Sequence, residues 1–155
     1  MPRMPRLHKP GDIHHVMSHS IDSLNLFDND QERSYFMELL EKYCSKYDCR
    51  CYGYSLMDNH YHLVLRPGLK GLSDMMRSLN GTFARQINRQ RGRKGYLFRE
   101  RFKSIPTRDA YYVKQLIMYL HKNPLRAGIV EKMKDLKKYR WTSHSYLMGK
   151  SNPHK

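Results

Sequence analysis

The spacing of hydrophobic positions along this chain alternates between two periods, and each change of period marks an element. Residues 12 to 19, DIHHVMSH, contain a short strand-like stretch. Asn29 or Asp30 then caps a helix from about Gln31 to Lys46, in which Phe36, Leu39, Leu40 and Tyr43 recur at helical spacing. RCYGYSL, residues 50 to 56, alternates like a strand, and His60 to Arg66 pairs with it across a turn at Asp58-Asn59. Pro67-Gly68 stops that strand.

From Leu72 to about Gln90 the period returns to helical, with Met75, Met76, Leu79, Phe83 and Ile87 inside and Arg77, Arg85 and Arg89 outside. RGRKG, residues 91 to 95, reads as a mobile basic loop. LFRERFKSI, residues 97 to 105, alternates apolar and charged positions, so a strand with Arg99, Arg101 and Lys103 on one face is expected. Asp109 caps a last helix, AYYVKQLIMYLHKN, which should finish near Asn123 because Pro124 disfavours a helical residue before it. A basic run from Lys132 to Arg140 leads to WTSHSYL, whose Trp141 and Tyr146 are candidates to dock on the domain. No internal repeat is visible.

The resulting order is strand, helix, strand, strand, helix, strand, helix. It predicts an α+β fold, the ferredoxin-like β-α-β-β-α-β arrangement with a four-stranded antiparallel sheet and an additional C-terminal helix. The first and third strands then lie in the middle of the sheet. A chain of 155 residues supports one domain, with a core over about residues 8 to 147 and basic tails at both ends.

Charge narrows the function. Lys and Arg number 29 against 14 Asp and Glu, a formal charge of +15. Self-repulsion of that size favours a polyanionic partner, and without a basic amphipathic terminal helix the partner is nucleic acid rather than a membrane surface. No apolar run approaches the roughly 18 residues of a membrane helix, and MPRMPRLHKP has no apolar segment behind it, so a cytoplasmic protein is expected.

The three cysteines, Cys44, Cys49 and Cys51, are an odd number and suit reduced thiols. A zinc site joining Cys49-x-Cys51 to His60-x-His62 fails on distance. In the expected hairpin Cys51 lies opposite about position 66, roughly 13 Å from His62 at about 3.3 Å per residue. Zinc bonds of about 2.0 to 2.3 Å cannot span it. Ordinary buried cysteines are expected instead.

The candidate chemistry lies in SLMDNHYHLVLRP, residues 55 to 67. Side chains two apart on a strand share a face, so His60 and His62 leave the sheet together while Tyr61, Leu63 and Leu65 face the other way. Polar residues on a solvated sheet face are common, and a nucleic-acid-binding module without catalysis accounts for them equally. A second pair raises the catalytic reading: Tyr119 and Asn123, four apart, project from one side of the last helix. Two imidazole nitrogens and one amide oxygen make half an octahedral site suited to Mg²⁺ or Mn²⁺, though imidazole also accepts Ni²⁺, Co²⁺ or Zn²⁺.

These residues carry a family resemblance. NHYHLVL resembles the His-hydrophobic-His (HUH) motif of single-tyrosine transposases and relaxases, with Tyr61 at the hydrophobic position. MYLHKNPLRAGIV is similar to the nucleophile helix of REP-associated tyrosine transposases, relatives of the smallest insertion-sequence transposases, in which Tyr-x-x-x-Asn-Pro replaces Tyr-x-x-x-Gln. GYLFRERFKS and RWTSHSYL resemble further segments of that subgroup.

The resemblance implies Tyr119 as nucleophile, His60, His62 and Asn123 as metal ligands, and Mg²⁺ or Mn²⁺ as cofactor. The implied substrate is single-stranded DNA near hairpin-forming repeats, cleaved and rejoined through a 5′-phosphotyrosine. Arg99, Arg101, Lys103 and Arg126 are candidate DNA contacts, with Phe98 and Phe102 as stacking platforms. Insertion-sequence relatives commonly dimerise and exchange catalytic helices, whereas the REP-associated group looks monomeric, so the resemblance leans to a monomer. Tyr111 and Gln115 form a second Tyr-x-x-x-Gln one turn into the same helix, but the Asn123-Pro124 register selects Tyr119. Tyr112, between them, is expected in the core with Leu116.

Overall fold

The computed structural model describes residues 11–22, 24–126, 141 and 142, and only the backbone of residues 123, 125 and 126. Within that span the expected order appears: β1 (Ile13–His19), α1 (Asp30–Lys46), β2 (Arg50–Leu56), β3 (His60–Arg66), α2 (Ser73–Arg91), β4 (Lys103–Thr107) and α3 (Ala110–Arg126). The four strands form one antiparallel sheet in the order β2-β3-β1-β4, with β1 and β3 central. This is the ferredoxin-like arrangement with an additional helix.

Strand alternation divides the sheet into two faces. Tyr61, Leu63 and Leu65 of β3 and Val16 of β1 point into the main core, where they meet Phe36 and Leu40 of α1 and Met76, Leu79 and Phe83 of α2. Aromatic rings fill its centre, with Phe36 at 4.7 Å from Tyr61 and 5.4 Å from Phe83 between centroids. The opposite face carries Val64, against which Val113, Leu116 and Leu120 of α3 pack with Ile13 and Ile117. Helices therefore cover both faces, and α3 lies on the face that holds the histidines.

Polar anchors set the helix ends. Asn29 accepts from the Glu32 amide, and Glu32 reaches back to the Asp28 amide, satisfying two otherwise unpaired donors. Glu32 is buried because Arg91, at the end of α2, holds it at 2.8 Å and also binds the Asn25 and Leu26 carbonyls. The expectation of a mobile loop at 91–95 is corrected accordingly. Arg91 is an anchor, Gly92 closes the helix with φ at 64°, and Arg93 binds both Asn88 and the Tyr96 carbonyl.

Two further expectations change. The strand predicted over 97–105 begins only at Lys103. Between the pairs Met17 with Lys103 and Ser20 with Phe98, three steps along β1 (20 − 17) face five along its partner (103 − 98), so two extra residues break the ladder. Leu97 and Phe102, an odd number of positions apart, both turn into the core, which a regular strand forbids. The last helix does not stop at Asn123 but carries Pro124 inside it to Arg126. The bias before proline is outweighed there, and Pro124 is buried.

The β2–β3 hairpin pairs Cys51 with Leu65, one residue from the expected register, and the bulge after Cys51 leaves Tyr52 outside the ladder. The partner of Cys51, Leu65, is still three positions along β3 from His62. Cys49 is buried, Cys44 half-buried and Cys51 exposed, so the expected burial fails at Cys51 on the outer strand. Trp141 docks as expected. It is 3% exposed, donates from Nε1 to Asp30 at 2.9 Å, and its carbonyl accepts from the Leu56 amide. Tyr146 lies outside the described residues.

Candidate active site

β3 presents His60 and His62 on the face opposite the main core, as the alternation requires, with ring centroids 5.0 Å apart. The antiparallel register brings two more histidines onto that face. His19 pairs directly with His60 and stacks on it at 4.6 Å, while His15 lies diagonally across from His62. His15 Nε2 and His62 Nδ1 are 2.9 Å apart, a buried hydrogen bond between rings. His15 and His19 were not singled out by sequence reasoning. The signal was present in IHHVMSH, whose residues 15 and 19 share strand parity, but only the pairing of β1 with β3 connects them to His60 and His62.

Burial disfavours charge on this cluster. It pushes His62 down to about 3 and His60 to about 4, with the neighbouring imidazoles adding to the effect. His15 is lowered by burial alone, and His19 by burial followed by Arg99 and Lys103. His60 and His62 are therefore neutral near pH 7, the form in which an imidazole can ligate a metal.

The donor set fits a divalent ion. His60 Nδ1 lies 2.7 Å from the Asn59 side-chain oxygen, which fixes the ring with its proton on Nδ1 and the lone pair on Nε2. A His62 tautomer that donates from Nδ1 to His15 leaves Nε2 in the same state. In that tautomer the two rings offer neighbouring Nε2 lone pairs on one face, of the kind an imidazole-accepting metal takes up. Among the described residues no three His, Cys, Asp or Glu side chains converge on one point, so any third protein ligand comes from elsewhere. Asn123 sits one helical turn beyond Tyr119 on α3, and its side chain lies outside the described residues.

α3 is oriented from its start. Asp109 caps it through the Tyr111 and Tyr112 amides, and Arg108 pairs with Asp12 just ahead of β1. Leu116 and Leu120 pack down onto Val64, and Tyr119 between them is 42% exposed at a cavity of about 520 Å³. The cavity is lined by His15, Tyr119, Tyr112, Gln115 and Lys122, among others. Tyr119 is thus brought to the histidine cluster through His15. His60 and His62 do not themselves line this cavity. Tyr111 is exposed and outside it, which favours Tyr119 over the alternative. Tyr112 is 42% exposed at the cavity rather than in the core, because Val113 and Leu116 occupy the sheet-facing positions.

Arg99, Arg101 and Lys103 are exposed, and the broken ladder keeps them from forming one strand face as expected. Phe102 is buried and Phe98 packs against Tyr61 and the core, so neither is a free platform. The side chain of Arg126 lies outside the described residues.

The model of the family described as "Transposase IS200 like" matches residues 12–123, which include β1, the His60/His62 pair and Tyr119. The chain belongs to the IS200-like transposase family. Among solved structures it is similar to a REP-associated tyrosine transposase bound to a REP hairpin, at a TM-score of 0.76 and 13% identity over 94% of this chain and 84% of that one. It is also similar to a protein from Deinococcus radiodurans R1 assigned as a transposase, at a TM-score of 0.52 and 13% identity over 78% of this chain and 97% of that one. At such identities the likeness speaks for the fold. No curated protein matches the sequence. No helix among the described residues is long and apolar enough to cross a membrane.

Proposed function

We propose that this transposase is a metal-dependent HUH strand transferase of the REP-associated type, cleaving and rejoining single-stranded DNA beside hairpin-forming repeats. The observation that carries the reading is the placement of two neutral imidazoles, each with Nδ1 engaged, on the sheet face that α3 covers with Tyr119. The sequence resemblance of the Met118-to-Val130 segment and the likeness in fold to a hairpin-bound relative support the subgroup.

His60 and His62 would hold Mg²⁺ or Mn²⁺, with Asn123 as the expected third ligand, and the ion would polarise the scissile phosphate and offset charge on the leaving oxygen. Tyr119 supplies the nucleophile. Its phenolic oxygen forms a bond to phosphorus, the bond from phosphorus to the 3′ oxygen breaks, the phenolic proton is released, and the leaving oxygen takes one up as a 3′-OH. The 5′-phosphotyrosine stores the bond energy, so attack by another 3′-OH rejoins strands without ATP. Lys122, one turn from Tyr119 at the same cavity, places a cation where the phosphate arrives.

The test is incubation of the full chain with labelled single-stranded hairpin DNA, in Mg²⁺ or Mn²⁺ and in chelator, resolved on a denaturing gel. A metal-dependent covalent adduct mapped to Tyr119 is expected. Tight binding with no adduct on any strand would replace the enzyme reading with a binding module.

A further inference from the structure

A second cavity lies away from the histidines, between α2 and residues 95–102. It has a volume of about 890 Å³ and combines features that the candidate active site does not use. One wall is the stripe of α2 that runs from Ser73 to Asn88 at helical spacing, about 22 Å at roughly 1.5 Å per residue. The other wall is held in shape by Asn88 donating to the Gly95 carbonyl and by Arg93 bridging Asn88 and the Tyr96 carbonyl.

Charge on the groove is one-sided. Arg77, Arg85, Arg99 and Arg101 line it against a single carboxylate, Glu100. Arg77 touches Asp74 at 3.5 Å and Arg99 touches Asp22 at 3.6 Å, both loose exposed pairs that a polyanion can displace. Tyr96, on the lip, is 83% exposed, an aromatic ring with no core role amid guanidinium groups. Cationic walls with an exposed ring are the composition of a single-strand groove, in which arginines follow phosphates and aromatics stack bases.

The groove also has a path to the histidines. Phe98 bridges to Ser20, the Arg99 amide donates to the His19 carbonyl at 3.0 Å, and the His19 ring stacks on His60. The end of β1 is therefore shared by the groove wall and the histidine cluster.

We infer that this groove binds a single-stranded DNA segment, roughly six nucleotides at about 3.4 Å per stacked base, with a base on Tyr96 and phosphates on Arg85 and Arg101. The identification of the strand as the transposase's DNA substrate rests on the function proposed above. The groove itself does not depend on cleavage. It explains why α2 exposes arginines beside a cavity and why the loop that leaves α2 is tied down rather than free.

The experiment is fluorescence anisotropy of the full chain with a labelled ten-nucleotide oligothymidine and, separately, a blunt DNA hairpin, in chelator so that no cleavage occurs. Tyr96→Ala is expected to weaken oligothymidine binding by about 5- to 150-fold, the range for one stacked base. Arg85→Ala/Arg101→Ala is expected to lower the salt dependence by roughly 0.7 for each phosphate that is no longer neutralised. Blunt-hairpin binding should change far less. All three side chains are exposed, and an unchanged melting temperature confirms that the fold is intact. Oligothymidine binding like that of the wild type in both variants, or losses confined to the blunt hairpin, would overturn the inference. Metal-dependent adducts that persist while the groove variants bind normally would overturn the groove alone. Groove variants that lose single-strand binding in a protein that never forms an adduct would overturn the cleavage reading alone.

Discussion

Replacing His15 by alanine tests whether the histidine cluster is a working metal site or a stack of buried rings. His15 makes one specific polar contact there, the 2.9 Å bond to His62 Nδ1. His62 is only 8% exposed, so bulk water does not simply take the place of the missing imidazole. Leaving a buried donor unpaired costs about 1–3 kcal/mol, and removing the group that orients a metal-bound histidine costs about 10- to 100-fold in affinity. At about 1.4 kcal/mol per tenfold, the two ranges overlap. Mn²⁺ binding to the full chain without DNA, followed by electron paramagnetic resonance, should therefore weaken by one to two orders of magnitude in His15→Ala. His15→Gln keeps an acceptor and should recover part of the affinity. A folded His15→Ala protein with Mn²⁺ affinity within about twofold of wild type would refute the orienting role and, with it, the use of His62 as a ligand through Nε2.

Further outcomes concern the nucleophile, the fold and pH. Tyr119→Phe should abolish covalent adducts while retaining DNA binding, since only the hydroxyl is removed; adducts that survive in Tyr119→Phe and vanish in Tyr111→Phe would reverse the assignment. Glu32→Ala removes the buried carboxylate on Arg91, which keeps Asp28 at 3.1 Å, and should destabilise the protein by about 1–3 kcal/mol in denaturant titration, so a change under about 0.5 kcal/mol would show that Arg91 does not need Glu32. Burial holds His60 at about 4 and His62 at about 3, below the roughly 6.5 of an exposed imidazole in the unfolded chain. The unfolded chain thus takes up protons that the folded chain does not, and stability should fall as pH drops from about 6.5 toward 4, with no contribution above that window. In chelator, the melting temperature of His60→Asn/His62→Asn should fall less over this range than that of wild type; equal slopes would place the pH dependence elsewhere.

Much of this was legible in sequence because it is periodic. The order of elements, the inner residues Met75, Met76, Leu79, Phe83 and Ile87 of α2, and the shared face of His60 and His62 all follow from spacings of 3.6 and 2.0 along one strand or helix. The family was legible too, since NHYHLVL and MYLHKNPL are local strings whose order survives without coordinates. Where competing preferences are close, local reading failed. Pro124 is carried inside α3 by packing that a dipeptide bias does not see, and Leu97–Phe102 alternates in composition while its backbone spends two residues turning into the core.

Only the tertiary structure decided what meets across chain separation. The bond between His15 and His62 joins residues 47 positions apart, and Arg91 closes on Glu32 from 59 away. Nothing in either local stretch encodes these partners; they are fixed by the register of β1 on β3 and by the packing of α2 on α1. The cavity that brings Tyr119 to His15 has the same origin, because the apolar face of α3 must cover Val64 to leave water. Local spacing determines which side chains share a face, whereas burial of the two sheet faces determines which faces are brought together.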